Sequence, residues 1–584
     1  MLRRPHLGVI ALLLILLGLV ALVPIMPPDV AGPYAIKFAT RIVIVAMMVV
    51  SLDLLIGITG LVSFGHAAFF GLGAYGVYFM SPEAESANVL IAFPVAIALA
   101  AGGAALIGAF AVRTKGFYFI MVTLAASQML YALFHDTRIA GGSDGASINI
   151  KPELVIGETS LLDLSNRAAL LWLSLGCLVI VYGLSFWLVR SSFGRVLQGI
   201  RWNEERMRAL GFNTYIYKLA IFIIAGALAG LAGALFAAID GFVPPELLGW
   251  RQSGLAIMMV VLGGVGTLYG SALGALVYNA LEETLKNSAV VGPQISDHWP
   301  IAMGLLLIGA VLAAPQGLAG WLPRFVPRIG GTNIKTAPMD CAVHAAPVLS
   351  VAGLGKVFGG LIANDGITIS FEPNKVHAII GPNGAGKTTF TNLLSGTFAP
   401  TAGRIRIGDV DVTSLSVHRR ARLGIGRSFQ RTNIISAFTV EENCLIAAQA
   451  GPLAASGVEM ALQATGLEDR RDRLARELSH GEQRQLEIAM LLANGAHTLL
   501  LDEPLAGAGP EETQRLTALL RGLATNHTIV LIEHDMDAVF AVADTIAVLV
   551  NGRLIAHGAP DEIRADAAVR EAYLGSFELI GASP

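Results

Sequence analysis

Nine residues in the second half of the chain have the types and the spacing that bind a polyphosphate. They read GPNGAGKTT at residues 381–389 and match G-x-x-x-x-G-K-[ST] at every fixed position. The glycines let backbone N–H groups converge on phosphate, and the helix predicted after them adds the positive end of its dipole. In such a phosphate loop the lysine, here Lys387, reaches the β- and γ-phosphates, and the hydroxyl of Thr388 ligates Mg²⁺. The residues of the phosphate loop predicted to bind ATP are Gly381, Asn383, Gly384, Gly386, Lys387, Thr388 and Thr389.

Two carboxylates follow an apolar run further along the chain. The run TLLLDE at residues 498–503 ends in Asp502 and Glu503. The first carboxylate would hold Mg²⁺ through water, and the second would orient or deprotonate the water that attacks the γ-phosphate. Two acids after a strand could equally be a pair that caps a helix. Their position after the phosphate loop favours the catalytic interpretation.

Two more polar residues follow predicted strands. His534 comes after the run IVLIE at residues 529–533, which would deliver it near the γ-phosphate, and Gln430 is placed to sense the γ-phosphate and the metal ion. A lone histidine is usually structural, but the order and spacing of these pieces leave little room for chance. We therefore expect Gln430, Glu503 and His534 to be catalytic, and Thr388, Gln430 and Asp502 to hold the metal ion.

A second anion site is predicted where LSHGEQ at residues 478–483 opens a helix. The hydroxyl of Ser479, the N–H of Gly481 and the N-terminal end of the helix dipole all favour a negative charge. The chain therefore carries two separate phosphate-binding elements.

Strands of a parallel sheet must position these residues. The runs at residues 376–380, 498–501 and 529–532 lack the polar alternation of a half-exposed strand, which is typical of parallel strands buried on both faces. A strand, a glycine loop and a helix in succession are the context that the phosphate loop needs.

The first half of the chain has a different composition. Of 584 residues, 54% are hydrophobic and only 14% are charged, against about 25% charged in an average soluble protein. The excess lies in residues 1–320, where apolar runs reach the ~20 residues that cross a bilayer. We predict a transmembrane domain over residues 1–320, a cytoplasmic linker over 321–347 and a nucleotide-binding domain over 348–584. The net charge of −3 gives no case for nucleic-acid binding.

The apolar runs and the cations between them predict a topology. Arg3, Arg4, the basic pair Arg113 and Lys115, and the basic loop at residues 190–218 lie inside, and the mixed loop at 136–168 lies outside. The candidate spans cover about residues 8–26, 38–58, 61–80, 88–112, 117–135, 169–189, 219–239, 255–281 and 300–314.

The number of spans must be even, because both the N-terminus and the nucleotide-binding domain are predicted to be cytoplasmic. The nine runs become ten membrane segments if the glycines of GGVG at residues 263–266 break the long run into about 255–266 and 267–281. The alternative is a re-entrant segment at residues 60–80.

Polar and small residues also mark the membrane half. His66 lies with Ser63 among glycines at membrane depth, where it could line a transport pathway or bond to a neighbouring helix. The small residues at 226–233 predict close helix packing. Residues 195–210 predict an amphipathic helix that ends at Gly211 and could lie on the membrane or dock on another protein. In a chain with an attached ATPase, docking is the sharper prediction, because it would carry force between the two halves, and a plain basic loop is the alternative.

These motifs carry a resemblance to a known family. Residues 348–584 resemble an ABC transporter nucleotide-binding domain, and residues 1–320 resemble the permease subunit of branched-chain amino acid type importers. The matching pieces are VSFGHAAFFG at 62–71, GGSDG at 141–145, FGR at 193–195, ALG at 209–211, FGG at 358–360 and EAYLG at 571–575. The resemblance implies an α-helical transmembrane bundle of about ten membrane segments. An α/β P-loop ABC ATPase domain with a parallel sheet core and a helical subdomain would follow it.

The resemblance also assigns roles to single residues. Phe358 matches the aromatic residue that stacks on adenine, while Ser479 and Gly481 match the signature that caps the γ-phosphate bound by the opposite subunit. His480 and Glu482 replace the commoner Gly and Gln of that signature. Gly509 stands where the family places Asp or Asn, and this departure bears on communication between two nucleotide sites and not on ATP binding.

The function implied is ATP-driven uptake of branched-chain amino acids or similar small solutes across the cytoplasmic membrane. The ATPase needs a second copy or a second ABC ATPase subunit. A second permease subunit, an extracytoplasmic solute-binding protein and membrane lipid are the other expected partners. Urea, amides or aromatic acids are alternative solutes, and an exporter or a membrane-anchored transducer is the alternative class of machine.

Overall fold

A computed structural model of the chain describes residues 7–27, 32–156, 159–320, 347–452, 456–506 and 509–571. These residues fall into two units. Of the described residues, one unit holds 202–214 and those from 347 to 571, and the other holds those from 7 to 201 and from 215 to 320. The predicted linker at 321–347 lies outside the described residues except for Pro347, so its boundaries stay a prediction.

Helices form most of the unit that corresponds to the predicted transmembrane domain. Its main helices are α1 Leu7–Leu22, α2 Pro33–Asp53, α3 His66–Phe79, α4 Val89–Ala111, α5 Phe117–Asp136, α6 Arg167–Arg190 and α7 Ser192–Trp202. After α8 Glu204–Ala209, which lies in the other unit, follow α9 Thr214–Asp240, α10 Trp250–Gly263, α11 Tyr269–Lys286, α12 Ser288–Val291, α13 Pro293–Asp297 and α14 Trp299–Ala313. Short strands add two antiparallel pairs, β1 Ala146–Ser147 with β4 Phe242–Val243, and β2 Glu153–Ile156 with β3 Thr159–Asp163.

Six described segments are long and apolar enough to cross a membrane. They are Pro33–Thr59, Val89–Ala111, Phe117–Asp136, Arg167–Arg190, Thr214–Asp240 and Trp299–Gly320. Helix α3 has only 14 residues and is about 21 Å long, which is shorter than the hydrocarbon core of a bilayer. The total of ten membrane segments therefore stays a prediction.

The long apolar run at residues 255–281 is broken, as the glycines predict. Helix α10 ends at Gly263, α11 begins at Tyr269, and Gly264 between them has a φ of +117°. Both carboxylate oxygens of Asp53 accept hydrogen bonds at the break, Oδ1 from the N–H of Gly266 at 2.8 Å and Oδ2 from the N–H of Leu268 at 3.0 Å. A buried carboxylate thus replaces the helical bonds that the break removes.

The small residues of α9 pack closely, which confirms the packing prediction. A Cβ atom added to Gly230 would overlap Ala100 of α4, one added to Gly233 would overlap the backbone of Phe70, and one added to Gly226 would crowd Ala104. Only residues without large side chains let α9 approach its neighbours this closely.

His66 begins α3 and is fully buried. Its Nε2 lies 2.8 Å from Oγ of Ser51 on α2, and the N–H of Ala67 donates to Oγ of Ser253 on α10 at 2.9 Å. The predicted hydrogen bond between His66 and a neighbouring helix, here α2, is therefore present.

Two sheets form the core of the other unit. Its strands are β5 Leu349–Phe358, β6 Leu361–Phe371, β7 Val376–Ile380, β8 Ala402–Ile407, β9 Val410–Asp411, β10 Ile425–Arg427, β11 Thr498–Asp502, β12 Thr528–Ile532, β13 Thr545–Val550 and β14 Arg553–Gly558. One sheet has the order β10-β11-β12-β7-β13-β14 and is parallel except for β14, and the other has the antiparallel order β6-β5-β8-β9. Every residue of β7, β11 and β12 is buried, as the continuous apolar runs predict.

Helices complete this unit. They are α15 Lys387–Ser395, α16 Val417–Arg422, α17 Val440–Ala450, α18 Ser456–Thr465, α19 His480–Ala493, α20 Pro510–Leu523, α21 Met536–Val542, α22 Pro560–Ala565 and α23 Ala567–Val569. Helices α17, α18 and α19 pack on one another and correspond to the predicted helical subdomain.

The prediction of one amphipathic helix over residues 195–210 is wrong, because the chain forms two helices there. Asn203 separates α7 from α8, and its Oδ1 accepts the N–H of Arg206 at 3.0 Å. This side-chain cap competes with a continuous helix and starts a new one. Gly211 has a φ of +101°, as expected of a glycine that follows a helix. The apolar residues predicted to share one face, Val196, Leu197, Ile200, Met207 and Leu210, are all buried.

Candidate nucleotide site

The phosphate loop joins the buried strand β7 to helix α15, which begins at Lys387. Gly384 and Gly386 have φ angles of +81° and +93°, a conformation that residues with a Cβ rarely adopt. Asn383, Gly384 and Thr388 are exposed, so the loop presents its backbone and a hydroxyl to the surface.

Lys387 is buried under the loop, and its Nζ donates to the carbonyls of Gly381 at 2.5 Å and Pro382 at 3.1 Å. Burial lowers the pKa of this ammonium group, and the nearby carboxylates of Glu503 and Asp502 oppose that effect. The position suits an ammonium group that neutralises phosphate charge beneath the loop.

The predicted catalytic residues meet at the ends of adjacent parallel strands. Asp502 pairs in register with Ile532 of β12, and Ile532 pairs with Ile379 of β7, so the three strands end together. Glu503 follows β11 directly. Its Oε1 lies 2.7 Å from Nε2 of His534, and its Oε2 accepts a hydrogen bond from Nε2 of Gln430 at 3.1 Å.

Asp502 is suited to bind a cation. The residue is 2% exposed, and among the described residues its Oδ1 has no hydrogen-bond partner. Burial raises the pKa of this carboxyl group, which the guanidinium group of Arg427 partly offsets. A buried carboxylate oxygen without a partner is the donor that a hard divalent cation takes.

The second predicted anion site lies at the start of α19. Oγ of Ser479 accepts the N–H of Glu482 at 3.3 Å, and Oε2 of Glu482 accepts the N–H of Ser479 at 2.9 Å, which together form a capping box. The hydroxyl proton of Ser479 is left to donate. Glu482 also accepts a hydrogen bond from Arg470 at 2.9 Å, which lowers the pKa of the carboxyl group. The glutamate in place of the commoner glutamine thus has two structural partners.

Gly481 and Phe358 are the remaining predicted contacts. A Cβ atom on Gly481 would overlap the carboxylate of Glu512 on α20, so a larger residue there would require this side chain to move. Phe358 ends β5 and is 41% exposed, with its ring edge-on to Phe398 at a centroid distance of 5.4 Å. Ser479 and Gly481 lie at the start of α19, where Gly481 faces Glu512 of α20. Gln430, Glu503 and His534 lie together beside the phosphate loop.

Residue Gly509 begins α20 with ordinary backbone angles of −71° and 167°. Residues 507–508 before it and the motif at 572–575 lie outside the described residues.

A buried ionic cluster behind Gln430 was not predicted from the sequence. Glu487 of α19 is 1% exposed, and its Oε1 accepts the N–H of Phe429 at 3.2 Å. Arg484 pairs with Glu487 at 3.3 Å and donates to the carbonyls of Phe429 at 2.8 Å and Gln430 at 2.6 Å. Helix α19 thereby holds the segment that carries Gln430 by both its N–H and carbonyl groups.

Arg206 of α8 completes the cluster. Its side chain is fully buried and donates to the carbonyls of Arg427 and Glu487, each at 3.0 Å, while its Nη1 lies 3.7 Å from Oε1 of Glu487. Burial raises the pKa of Glu487, and the charges of Arg206 and Arg484 oppose this. The only sequence signal was a cation next to Met207 on the apolar face of the helix and an acid inside the apolar run LEIAML at residues 486–491.

Three family models match the chain. A model described as branched-chain amino acid transport system / permease component matches residues 34–314. A model described as ABC transporter matches residues 364–506, and one described as branched-chain amino acid ATP-binding cassette transporter matches residues 553–578.

Characterised relatives match the ATP-binding half. The high-affinity branched-chain amino acid transport ATP-binding protein BraF of Pseudomonas aeruginosa is 39% identical over 250 residues, covering 39% of this chain and 98% of the relative. The protein LivG of Escherichia coli, described in the same words, is 38% identical over 250 residues with the same coverage. A solved nucleotide-free ATP-binding cassette from an ABC transporter is 29% identical with a TM-score of 0.36, covering 39% of this chain and 98% of its own.

The permease model and the two ATP-binding models follow one another along a single chain, in the order of the two units. The chain therefore belongs to the branched-chain amino acid ABC transporter family and joins a permease domain of that family to an ATP-binding domain in one polypeptide.

Proposed function

We propose that this chain is the combined permease and ATPase subunit of an importer that takes up branched-chain amino acids, or similar small solutes, driven by ATP hydrolysis. The observation that carries the proposal is the meeting of Gln430, Glu503 and His534 beside the phosphate loop. It occurs in a chain whose residues 34–314 match a permease. The names of the ATP-binding relatives BraF and LivG support branched-chain amino acids as the solute.

Glu503 is the residue proposed to act on the attacking water. Its carboxylate is held by His534 on one oxygen and by Gln430 on the other, which fixes the direction in which it can accept a proton. Lys387 and the N–H groups of the phosphate loop would stabilise the charge on the β- and γ-phosphates. His534 would lie near the γ-phosphate, beside Glu503.

Thr388, Gln430 and Asp502 would hold Mg²⁺. The unpartnered, buried Oδ1 of Asp502 fits such an ion, as does the exposed hydroxyl of Thr388 at the start of α15. When bound, Mg²⁺ would neutralise part of the phosphate charge. Phe358 would offer its exposed ring to the adenine base.

One chain carries one phosphate loop and one signature, so the working site needs a second ATPase domain. Ser479 and Gly481 of one copy would close on the γ-phosphate bound by the phosphate loop of another, with the free hydroxyl proton of Ser479 as donor. A second copy of this chain or a paralogous ATPase and permease would supply the other half.

The segment at residues 202–214 is proposed to transmit the closure. It packs with the ATPase unit through Arg206, while α7 and α9 on either side of it belong to the permease unit. Movement of the segment that carries Gln430 would therefore be passed to both helices along the chain.

The proposed topology places the ATPase and both termini in the cytoplasm and the loop at residues 136–168 outside. An extracytoplasmic solute-binding protein would deliver the solute to the external side of the permease. The chain would act in the cytoplasmic membrane, in contact with lipid.

The proposal is tested by the ATPase rate of the assembled complex with a panel of candidate binding proteins and solutes. The solutes are leucine, isoleucine, valine, urea, amides and aromatic acids. We expect a branched-chain amino acid and its binding protein together to raise the rate, and neither alone to do so. Stimulation by urea, an amide or an aromatic acid would identify that compound as the solute in place of a branched-chain amino acid. A rate that rises with no binding protein would favour an exporter.

A further inference from the structure

A small polar cavity of about 180 Å³ lies within the permease unit, away from the nucleotide site. It is enclosed where α2 and α6 begin and α9 ends, together with the loop between α5 and α6. The residues that line it are Lys37, Thr40, Lys151, Leu164, Arg167, Leu170, Ile239 and Asp240.

The charges around this cavity do not balance. Lys37, Lys151 and Arg167 are cations, and Asp240 is the one carboxylate in the lining. Asp240 already forms an ion pair with Lys37. Two positive charges, those of Lys151 and Arg167, therefore remain without a carboxylate in the lining.

Lys151 is held inside the cavity. Its Nζ donates to the carbonyl of Ile239, in the last turn of α9, at 2.5 Å. Burial lowers the pKa of this ammonium group, and the charges of Arg167 and Lys37 lower it further, while Asp240 and Asp163 oppose them. A half-buried ammonium group among like charges is stabilised when an anion joins it.

The helix ends add to the excess of positive charge. Arg167 is the first residue of α6, next to its cap Asn166, whose Oδ1 accepts the N–H of Ala168 at 3.0 Å. Lys37 lies just after the first turn of α2. A cation at the N-terminus of a helix opposes the helix dipole, so these positions cost stability when nothing negative lies between them.

The cavity lies at one end of the membrane-spanning helices. Helix α6 has 24 residues and is about 36 Å long, and residues 191–213 join its far end to α9. In the proposed topology that connection is cytoplasmic, so the cavity lies on the external side, at the level of the lipid headgroups. At this level the cations can meet the phosphate of a lipid headgroup by charge-assisted hydrogen bonds.

We propose that this cavity binds a phosphate group through Lys151 and Arg167, with Lys37 as a further donor. The phosphate can belong to the headgroup of an anionic phospholipid or to free inorganic phosphate. The volume admits a phosphate and its first substituent, and it is too small for a folded peptide segment. The site is independent of ATP and of the transported solute.

The test compares ligand binding to the purified full chain and three variants. The variant Lys151→Gln/Arg167→Gln removes both unpaired charges, Lys151→Arg/Arg167→Lys keeps them, and Arg138→Gln removes an exposed cation outside the cavity lining. Lipids retained in detergent are counted by native mass spectrometry with phosphatidylglycerol or phosphatidylcholine, and the rise in unfolding temperature is measured with inorganic phosphate.

We expect the wild type, the charge-keeping variant and Arg138→Gln to retain phosphatidylglycerol over phosphatidylcholine. The double glutamine variant should bind it about tenfold more weakly or worse, as the loss of two charge-assisted hydrogen bonds implies. Stabilisation by inorganic phosphate without lipid preference would identify the free ion as the ligand. The proposal would be overturned if the double glutamine variant bound phosphatidylglycerol and phosphate as well as the wild type does. It would also be overturned if neither protein bound either ligand. If the double glutamine variant does not fold, the charge-keeping variant decides the question. The proposal requires this variant to bind phosphatidylglycerol or phosphate as the wild type does.

Discussion

Glu503 combines a strained backbone with a fixed carboxylate. Its φ of +49° lies in the left-handed region, which costs a non-glycine residue about 1–3 kcal/mol. The N–H of Glu503 donates to the carbonyl of Ile532 at 2.9 Å, and its two carboxylate oxygens contact His534 and Gln430. Such strain persists where surrounding contacts impose it.

Replacing Glu503 with glutamine should abolish hydrolysis and leave ATP binding intact. The amide keeps the shape of the side chain but cannot accept a proton, so we expect the ATPase rate to fall about 10²–10⁴-fold. ATP affinity should stay near the wild-type value because the phosphate loop is unchanged. Steady-state hydrolysis and equilibrium binding of a fluorescent ATP analogue measure the two effects. The control is Glu511→Gln, an exposed acid of the same unit. A Glu503→Gln protein that hydrolyses ATP at the wild-type rate would refute the assignment of the base.

Glu533, next to His534, should make stability depend on pH. Burial raises the pKa of its carboxyl group to about 7, while its Oε1 accepts the N–H of Leu505 at 2.7 Å. Between pH 4.5 and about 7 the unfolded chain has this glutamate ionised and the folded chain has it protonated. Raising the pH therefore favours unfolding, by up to about 3 kcal/mol once the folded pKa is passed.

The corresponding measurement is thermal unfolding of the full chain at about pH 5 and about pH 8. We expect the unfolding temperature of the wild type to fall over this interval and that of Glu533→Gln to fall less. Because glutamine does not titrate, equal slopes for the two proteins would show that Glu533 is not the group responsible.

At this scale the sequence predicted which residues meet but not how they are held. Gln430, Glu503 and His534 could be predicted because each follows an apolar strand and parallel strands end at one edge. The left-handed backbone of Glu503 and the unpartnered oxygen of Asp502 depend on the packing of several strands. No local pattern of residue types encodes them.

Secondary-structure elements were predictable where local chemistry and packing agree. The buried strands β7, β11 and β12 have continuous apolar runs, and the glycines at residues 263–266 coincide with the break between α10 and α11. The carboxylate that stabilises this break, Asp53, is distant in sequence. It could not be assigned because a tertiary contact creates its role.

Residues 195–210 show the opposite case. Their apolar periodicity suggests one helix, but the side chain of Asn203 caps α8 and divides the segment. Arg206 of α8 therefore belongs to the ATPase unit, where its guanidinium group contacts the carboxylate of Glu487 and the carbonyl of Arg427. A buried arginine cannot be distinguished from a surface arginine in a basic loop by sequence alone.

The pair Arg206 and Glu487 should link ATPase activity to the permease. Arg206→Met leaves the carboxylate of Glu487 buried with only Arg484 as a cationic partner, so we expect destabilisation approaching the ~3–5 kcal/mol of a broken buried ion pair. The double variant Arg206→Met/Glu487→Gln also removes the buried negative charge and should regain part of the lost stability. Stimulation of the ATPase by the binding protein should stay lost in both, because the contact between α8 and α19 is absent.

Thermal unfolding and the ratio of stimulated to basal ATPase rate, measured on the same four proteins of this double-mutant cycle, separate the two roles. The control is Arg208→Met, which removes a half-exposed cation of α8 that pairs with Glu204. If the double variant recovers both stability and stimulation, Arg206 serves only the fold.

The whole molecule divides at places that the sequence predicted only in part. The change in charge content near residue 348 separates the two domains, as expected when one half lies in lipid. The assignment of residues 202–214 to the ATPase unit agrees with the prediction that the segment near 195–211 docks on the ATPase half, although this segment lies between two membrane helices in the sequence. These 13 residues belong to the ATPase unit, while the chain on either side of them belongs to the permease unit.

Uptake by reconstituted vesicles tests the central claim most directly. The assembled complex, with its binding protein outside and ATP inside, is supplied with labelled leucine, and the Glu503→Gln complex serves as the matched control. The account predicts ATP-dependent accumulation of leucine by the wild type and none by the variant, although both bind ATP. The absence of ATP-dependent flux for leucine and every other solute of the panel, or equal flux with Glu503→Gln, would contradict it.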